Sequence, residues 1–171
     1  MNTTDISAEL KSSTQELLAV VAKFGSEQVN IVPVEGSWTA GQVAEHLLKS
    51  EIGLPNLLAE NVTPTERPAD DKVPVIEGIF LNFETKLKAP EFIIPSNGPH
   101  QKEVLLNSLK ETRTKILNLT ETTDLSMTCT AAQFPGLGEL TRWEWIHFVI
   151  CHSIRHTRQL RNILDRLQNE S

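Results

Sequence analysis

Among the side chains able to bind a metal or move a proton near neutral pH, the five histidines stand out: His46, His100, His147, His152 and His156. His152 and His156 are four residues apart, so on a helix their rings stack on one face. That face carries Trp145, Phe148 and Val149 before the pair and Leu160, Ile163 and Leu167 after it. The pair therefore interrupts a core-facing apolar stripe, where a polar group needs a partner. His46 interrupts a second stripe, made by Val43, Leu47 and Leu54. Three imidazoles aimed into one core suit a divalent metal, because neutral imidazole binds zinc, nickel, copper and iron. Three protein ligands also leave positions open for water or substrate, as in catalytic rather than closed structural sites. The same placement fits histidines that are simply hydrogen-bonded in a core, and spacing by itself leaves both readings open.

The other candidates carry less. Ser153 stands where the glutamate of a metalloprotease HExxH motif would be, so that chemistry is excluded. His147, five before His152, is about 140° away around an ideal helix and points elsewhere, as a partner or surface residue. His100 follows Pro99 ahead of a helix and has no inferred role. Glu45 is about 100° off the face of His46. Glu144 is placed to cap its helix. No catalytic base is assigned. Arg155 and Arg158 suit either an anionic group or a solvated helix face. Trp38, Trp143 and Trp145 fit core packing or a pocket wall, with Trp145 the best placed to share the core of the histidine pair.

Four helices must position these residues. The first is expected over about 4–24, with Ile6, Leu10, Leu17 and Val21 apolar and Gly25 just past its end. The second opens with a capping box, Thr39-Ala40-Gly41-Gln42, and should kink or break at Pro55. The third spans about 101–120. The fourth opens with a second capping box, Thr141-Arg142-Trp143-Glu144, and continues to about Leu167. Between the second and third, residues 63–99 hold six of the nine prolines, but also Ile76, Ile79, Phe80, Phe83 and Leu87, which could line a short helix. A polar flexible linker would not carry these, so the stretch reads as an ordered crossover lying on the bundle. The expected architecture is all-α: one domain over 1–171, a four-helix bundle with a long Pro-rich crossover between its second and third helices.

Composition narrows the partners. A net charge of −6 over 171 residues disfavours nucleic acid. No stretch approaches the roughly 20 apolar residues of a membrane span. Met1-Asn2-Thr3-Thr4-Asp5 lacks the basic and apolar regions of a signal peptide. Cys129 and Cys151 form no CxxC and read as small buried hydrophobes, so a cytoplasmic protein is expected.

Two segments carry a family resemblance. Ser37-Trp38-Thr39-Ala40-Gly41-Gln42-Val43-Ala44-Glu45-His46-Leu47 resembles the second-helix motif of DinB/YfiT-like proteins, in which a Trp-Ser/Thr stretch leads to one metal-binding histidine. Trp143-Glu144-Trp145-Ile146, followed by His152-Ser153-Ile154-Arg155-His156-Thr157-Arg158-Gln159-Leu160, resembles the family's last-helix motif, with two more histidines at HxxxH spacing. The resemblance covers most of the chain. It implies the DinB-like bundle, often a homodimer, with a divalent metal held by His46, His152 and His156. Nickel or zinc is the commonest ion implied; iron and manganese are alternatives. It further implies a small-molecule substrate, with thiol S-transfer from a low-molecular-weight thiol as one activity. A metal-dependent hydrolase and a non-catalytic metal-binding or stress-related interaction module are the other functions in view.

Overall fold

The structure, a computed structural model, describes residues 2–169. Six helices dominate it: α1 (Thr3–Lys23), α2 (Ala40–Glu51), α3 (Leu54–Ala59), α4 (Val73–Phe80), α5 (Lys102–Thr122) and α6 (Arg142–Asn169). The long helices α1, α2, α5 and α6 form the bundle. Pro55 ends the second helix rather than kinking it: α2 stops at Glu51, and Pro55 sits in the first turn of α3, where its missing N–H costs nothing. The capping box at Thr39 forms in full, with Thr39 Oγ1 accepting from the Gln42 amide and Gln42 Oε1 accepting from the Thr39 amide.

The core is split along the bundle axis. One apolar cluster contains Ile6 and Leu10 of α1, Leu54 and Leu58 of α3, Ile116 of α5 and the first half of α6 to Cys151. The other contains Leu17 to Phe24, Val43 and Leu47 of α2, Leu105 and Leu109 of α5, and Leu160 to Leu167. Between them each long helix contributes polar residues to a buried layer: Ser13 from α1, Glu51 from α2, Arg113 from α5, and His152, Ser153 and His156 from α6. Helices α1 and α6 run from the first cluster to the second. Helices α2 and α5 both run the other way, so the chain between them has to travel back along the bundle.

That return segment is tied down by side chains. Its helix α4 buries Ile76 completely; Phe83 and Leu87, expected on the same helix, lie beyond its end and are exposed. A two-residue antiparallel ladder joins β1 (Val62–Thr63) to β2 (Thr128–Cys129), a pairing too short for the alternation of a strand to be read from sequence. At the start of α6, the Thr141 hydroxyl accepts from the Glu144 amide and donates to the Ala69 carbonyl. The Glu144 carboxylate accepts from the amides of Thr141 and Lys72 and takes both ends of the Arg67 guanidinium at 2.6 and 2.7 Å. One capping residue thus docks the return segment onto the helix carrying two of the histidines.

Within the polar layer, Arg113 Nε and Nη2 each stand 2.6 Å from an oxygen of Glu51, and Arg113 Nη1 donates to Thr14 Oγ1 at 3.1 Å. This fork crosses from α5 to α2 and α1 with both charged partners buried. Removing one partner strands the other charge. We expect Glu51→Ala to cost about 3–5 kcal/mol in urea unfolding, with Glu51→Leu/Arg113→Met recovering most of it. A single variant within about 1 kcal/mol of the parent would show that the pair does not hold these helices together.

Candidate metal centre

His46 comes from the middle of α2, and His152 and His156 from successive turns of α6. Their burial follows from the stripes they interrupt: exposure is 3% for His46, 3% for His152 and 8% for His156. His152 Nε2 lies 3.0 Å from His46 Nε2 and 3.0 Å from His156 Nε2. The three offer nitrogen atoms within 4.8 Å of one another, and no carboxylate or thiol joins them among the described residues. Aromatic rings form the walls. Trp38 lies 5.0 Å from His46, Phe148 stacks on His152 at 5.0 Å, and Phe80 meets His152 edge-on at 5.5 Å.

The outer nitrogens decide what the inner ones can do. His46 Nδ1 is 2.9 Å from the Ile93 carbonyl, which can only accept, so Nδ1 carries the proton. His156 Nδ1 is 2.7 Å from Gln159 Oε1 and is protonated for the same reason. Both rings, when neutral, therefore turn a bare Nε2 lone pair inward. His152 can donate one Nε2 proton, to one neighbour, which leaves the other neighbour's lone pair without a donor and its own Nδ1 bare. If its proton sits on Nδ1 instead, that buried atom has no acceptor, and three lone pairs converge. In neither state do the protein's own atoms satisfy the cluster; three such nitrogens could hold a metal ion. Two nitrogens at 2.0–2.1 Å from a common ion stand about 2.8–3.4 Å apart for angles between right and tetrahedral. The two 3.0 Å contacts fall within that range.

Electrostatics favour the neutral ligand form. Burial depresses the pKa of His46, against an opposing effect of its bond to Ile93. Burial, reinforced by the charge of His46, brings His156 down to about 3. His152 lies well below the usual histidine value, through burial first and then the charges of His156, His46, Arg113 and Arg155. All three are unprotonated at neutral pH, as metal binding requires.

The Ile93 carbonyl is held in place by the outer face of α2. Glu45 Oε2 accepts from the Ser96 amide at 2.6 Å, the Ser96 hydroxyl at 2.9 Å and His100 Nε2 at 2.8 Å. Lys49 Nζ donates to the Ile94 carbonyl at 2.8 Å, and Gln42 Nε2 to the Ser96 carbonyl at 3.1 Å. His100 also packs against Gly41, where any Cβ would come within 2.7 Å of the His100 Cβ and 2.8 Å of its ring. Burial raises the Glu45 pKa, but its bonds to His100 and Ser96 outweigh that and hold the carboxyl below its usual value.

The remaining candidates sort cleanly. His147 stacks on Trp143 at 5.6 Å, away from the cluster. Trp145 joins Phe134 and Phe148 in an aromatic group, so the tryptophan that touches the centre is Trp38, not Trp145. Glu144 caps α6 and is not a base. Cys129 and Cys151 are buried, and burial pushes their thiols up to about 11 and about 12. Sequence reasoning missed four contributors. Gln159 was legible in principle, being three residues past a ligand on the same helix. Arg113 and Glu51 were legible as charges inside apolar stripes. The Ile93 carbonyl leaves no side-chain signal.

Comparison with known proteins agrees with this arrangement. The profile of the DinB superfamily matches residues 9–160. A Bacillus subtilis (strain 168) protein described as uncharacterized, YuaE, is 23% identical over 148 residues, covering 85% of this chain and 88% of the relative. No solved structure matches.

Two outcomes follow from the geometry. Because the histidine pKa values are depressed in the fold, the unfolded chain binds more protons below its own histidine pKa of about 6.5. Stability of the metal-free protein is therefore complete above that pH and falls as the pH drops toward the folded values. Between pH 6 and 5, above the carboxylate range, each buried neutral histidine should contribute up to about 1.4 kcal/mol per pH unit. Unfolding free energies that stay flat across that interval would contradict neutral burial. The second outcome concerns Glu45. Glu45→Ala should weaken metal affinity, by less than the about ten- to hundred-fold that losing a ligand's direct outer partner costs, because Glu45 acts on the Ile93 carbonyl only through Ser96. Competition titration against a chelator reads this, and an unchanged affinity would mean that the Ile93 carbonyl needs no such clasp.

Proposed function

This chain belongs to the DinB superfamily, and from that footing we propose that it is a metal-dependent enzyme whose ion is held by His46, His152 and His156. The observation that carries this is the pair of fixed outer contacts, Ile93 carbonyl to His46 and Gln159 to His156, which aim the inner lone pairs at one point. Nickel or zinc suits three imidazoles; iron and manganese are also compatible. A divalent ion bound there would supply Lewis acidity, lowering the pKa of a thiol or water at neutral pH. The activity we favour is S-transfer from a low-molecular-weight thiol to an electrophilic small molecule. The protein would act as a homodimer.

The chain's own residues fit that role in specific ways. Three neutral ligands contribute no negative charge, so an ion here keeps its full charge and favours an anionic partner such as a thiolate. Trp38, Phe80 and Phe148 keep water away from the nitrogens and offer an apolar wall. The Glu51 carboxylate is committed to Arg113, and Glu45 to Ser96 and His100, so neither serves as a base. A substrate that reacts as its own anion needs none.

Burial of the centre favours a second reading, in which the ion ties α2 to α6 and stabilises the fold without turnover. Elemental analysis of protein purified without chelator should find about one ion per chain, lost in His152→Ala. Wild-type protein without metal, or a variant with full occupancy, would refute the ligand assignment. Reconstituted protein should consume thiol in the presence of an electrophile. If no metal restores consumption across a varied electrophile panel while chelator still lowers the unfolding temperature, the second reading holds.

A further inference from the structure

The three histidines are buried. A groove of about 270 Å³ opens between α1 and α6, and another of about 610 Å³ beside the β ladder; neither of these two is lined by any of them. Burial this deep leaves a ligand to displace one of the surrounding rings. Two of the three wall rings sit where the bundle holds them, Phe148 on α6 itself and Trp38 at the start of α2. The third, Phe80, ends α4, and the chain beyond it is different in kind. Residues 82–88 are exposed. Among the described residues, 82–89 make no backbone–backbone hydrogen bond to any other element. Yet both ends of this stretch touch the centre: the Phe80 ring lies on His152, and the Ile93 carbonyl binds His46.

What holds the stretch down is Arg155, the residue before His156. Its Nη1 donates to the carbonyls of Phe80 at 3.3 Å and Asn82 at 2.9 Å, and its Nη2 donates to the Thr85 carbonyl at 2.5 Å. Arg158, one turn on, lies 4.8 Å over the exposed Phe83 ring. Arg113 is matched by Glu51 and Arg67 by Glu144, and the buried Arg142 binds the carbonyls of Leu58 and Asp124. Arg155 has only neutral carbonyls and, among the described residues, no carboxylate partner. It is also half-exposed, so solutes can reach it.

We propose that residues 81–90 are a strap latched over the three-histidine centre by Arg155, and that an anionic group on the incoming ligand opens it by taking the guanidinium from the carbonyls of Phe80, Asn82 and Thr85. The physical basis is the difference between acceptors. A carboxylate or phosphate offers Arg a charge-assisted, two-pronged partner roughly twice as strong as a neutral carbonyl. The same guanidinium then sits beside the open centre holding the anionic end of the ligand. This makes Arg155 a residue for ligand selection as well as a latch, and it rests on the proposed function only for what the strap covers.

The test uses metal-free full-length protein, so that its result stands apart from the metal assignment, which elemental analysis decides. Trypsin reports the strap at its exposed Lys86 and Lys88. Diethyl pyrocarbonate, with mass mapping, reports access to His152 and His156. Arg155→Ala should speed both by about ten-fold, with Arg155→Lys intermediate, as expected for losing a net hydrogen bond to a charged group. Phe83→Ala should speed them by about three-fold, the scale of an exposed cation–π contact. The buried Cys129 and Cys151 should stay unreactive to a thiol reagent, which separates local opening from unfolding. Inorganic phosphate, against sodium chloride of equal ionic strength, should accelerate both reactions in wild type and leave Arg155→Ala unaffected. Wild-type rates in both Arg155 variants, or cysteines exposed in step with the histidines, would overturn the latch. Absence of a phosphate effect on wild type would overturn its release by an anion.

Discussion

A helical bundle that turns three imidazoles into its core has to satisfy them there, and most of this structure follows from that requirement. A buried polar atom without a partner costs about 1–3 kcal/mol. Six ring nitrogens are at issue, and all three rings are buried. The fold satisfies the outer nitrogens of two rings with an Ile93 carbonyl and a Gln159 amide oxygen. In doing so it fixes the Nε2 atoms of His46 and His156 as acceptors, each 3.0 Å from His152 Nε2. Three buried nitrogens placed in this way could hold a metal ion.

The polar layer extends beyond the histidines. Glu51 and Arg113 cross the same level of the bundle, between the two apolar clusters. A buried ion pair of this kind adds little net stability compared with a hydrophobic pair. Its value is positional: the fork registers α2 against α5 and α1, and α2 carries His46. Arg113 adds positive charge near His152, which helps keep that ring neutral. The layer thus joins ligand placement and ligand protonation in one set of contacts.

The segment between α3 and α5 is where bundle becomes site. It is anchored at one end by Arg67, Ala69 and Lys72 on the cap of α6, and at the other by Glu45, Lys49 and Gln42 of α2. Between the anchors it delivers the Phe80 ring and the Ile93 carbonyl to two different ligands. Anchored ends and an exposed middle give a cover whose edges are positioned while its centre is held by side chains. Among the described residues no helix is long and apolar enough to cross a membrane; Ile76 and Phe80 of this return segment lie on the bundle, while Val75, Phe83, Leu87, Phe92 and Ile94 are exposed.

Helices were readable because their signals are local. Both capping boxes, the Gly25 stop and the apolar stripes depend on residues within a few positions of each other, and four long helices lie close to where those signals put them. The HxxxH pair was readable for the same reason, since four residues of helix place two rings on one face. Convergence of His46 with that pair was implied by the family resemblance and not by spacing, because it spans 106 residues of chain and depends on how α2 crosses α6. Nor could the sequence show which nitrogen of each ring turns inward. That depends on a backbone carbonyl 47 residues from His46, and every residue type carries the same carbonyl. The sequence by itself determined that polar rings would interrupt two apolar stripes. The tertiary structure alone decided that they meet, that their lone pairs face one point, and that Arg155 closes a strap above them, because those outcomes rest on contacts between segments far apart in the chain.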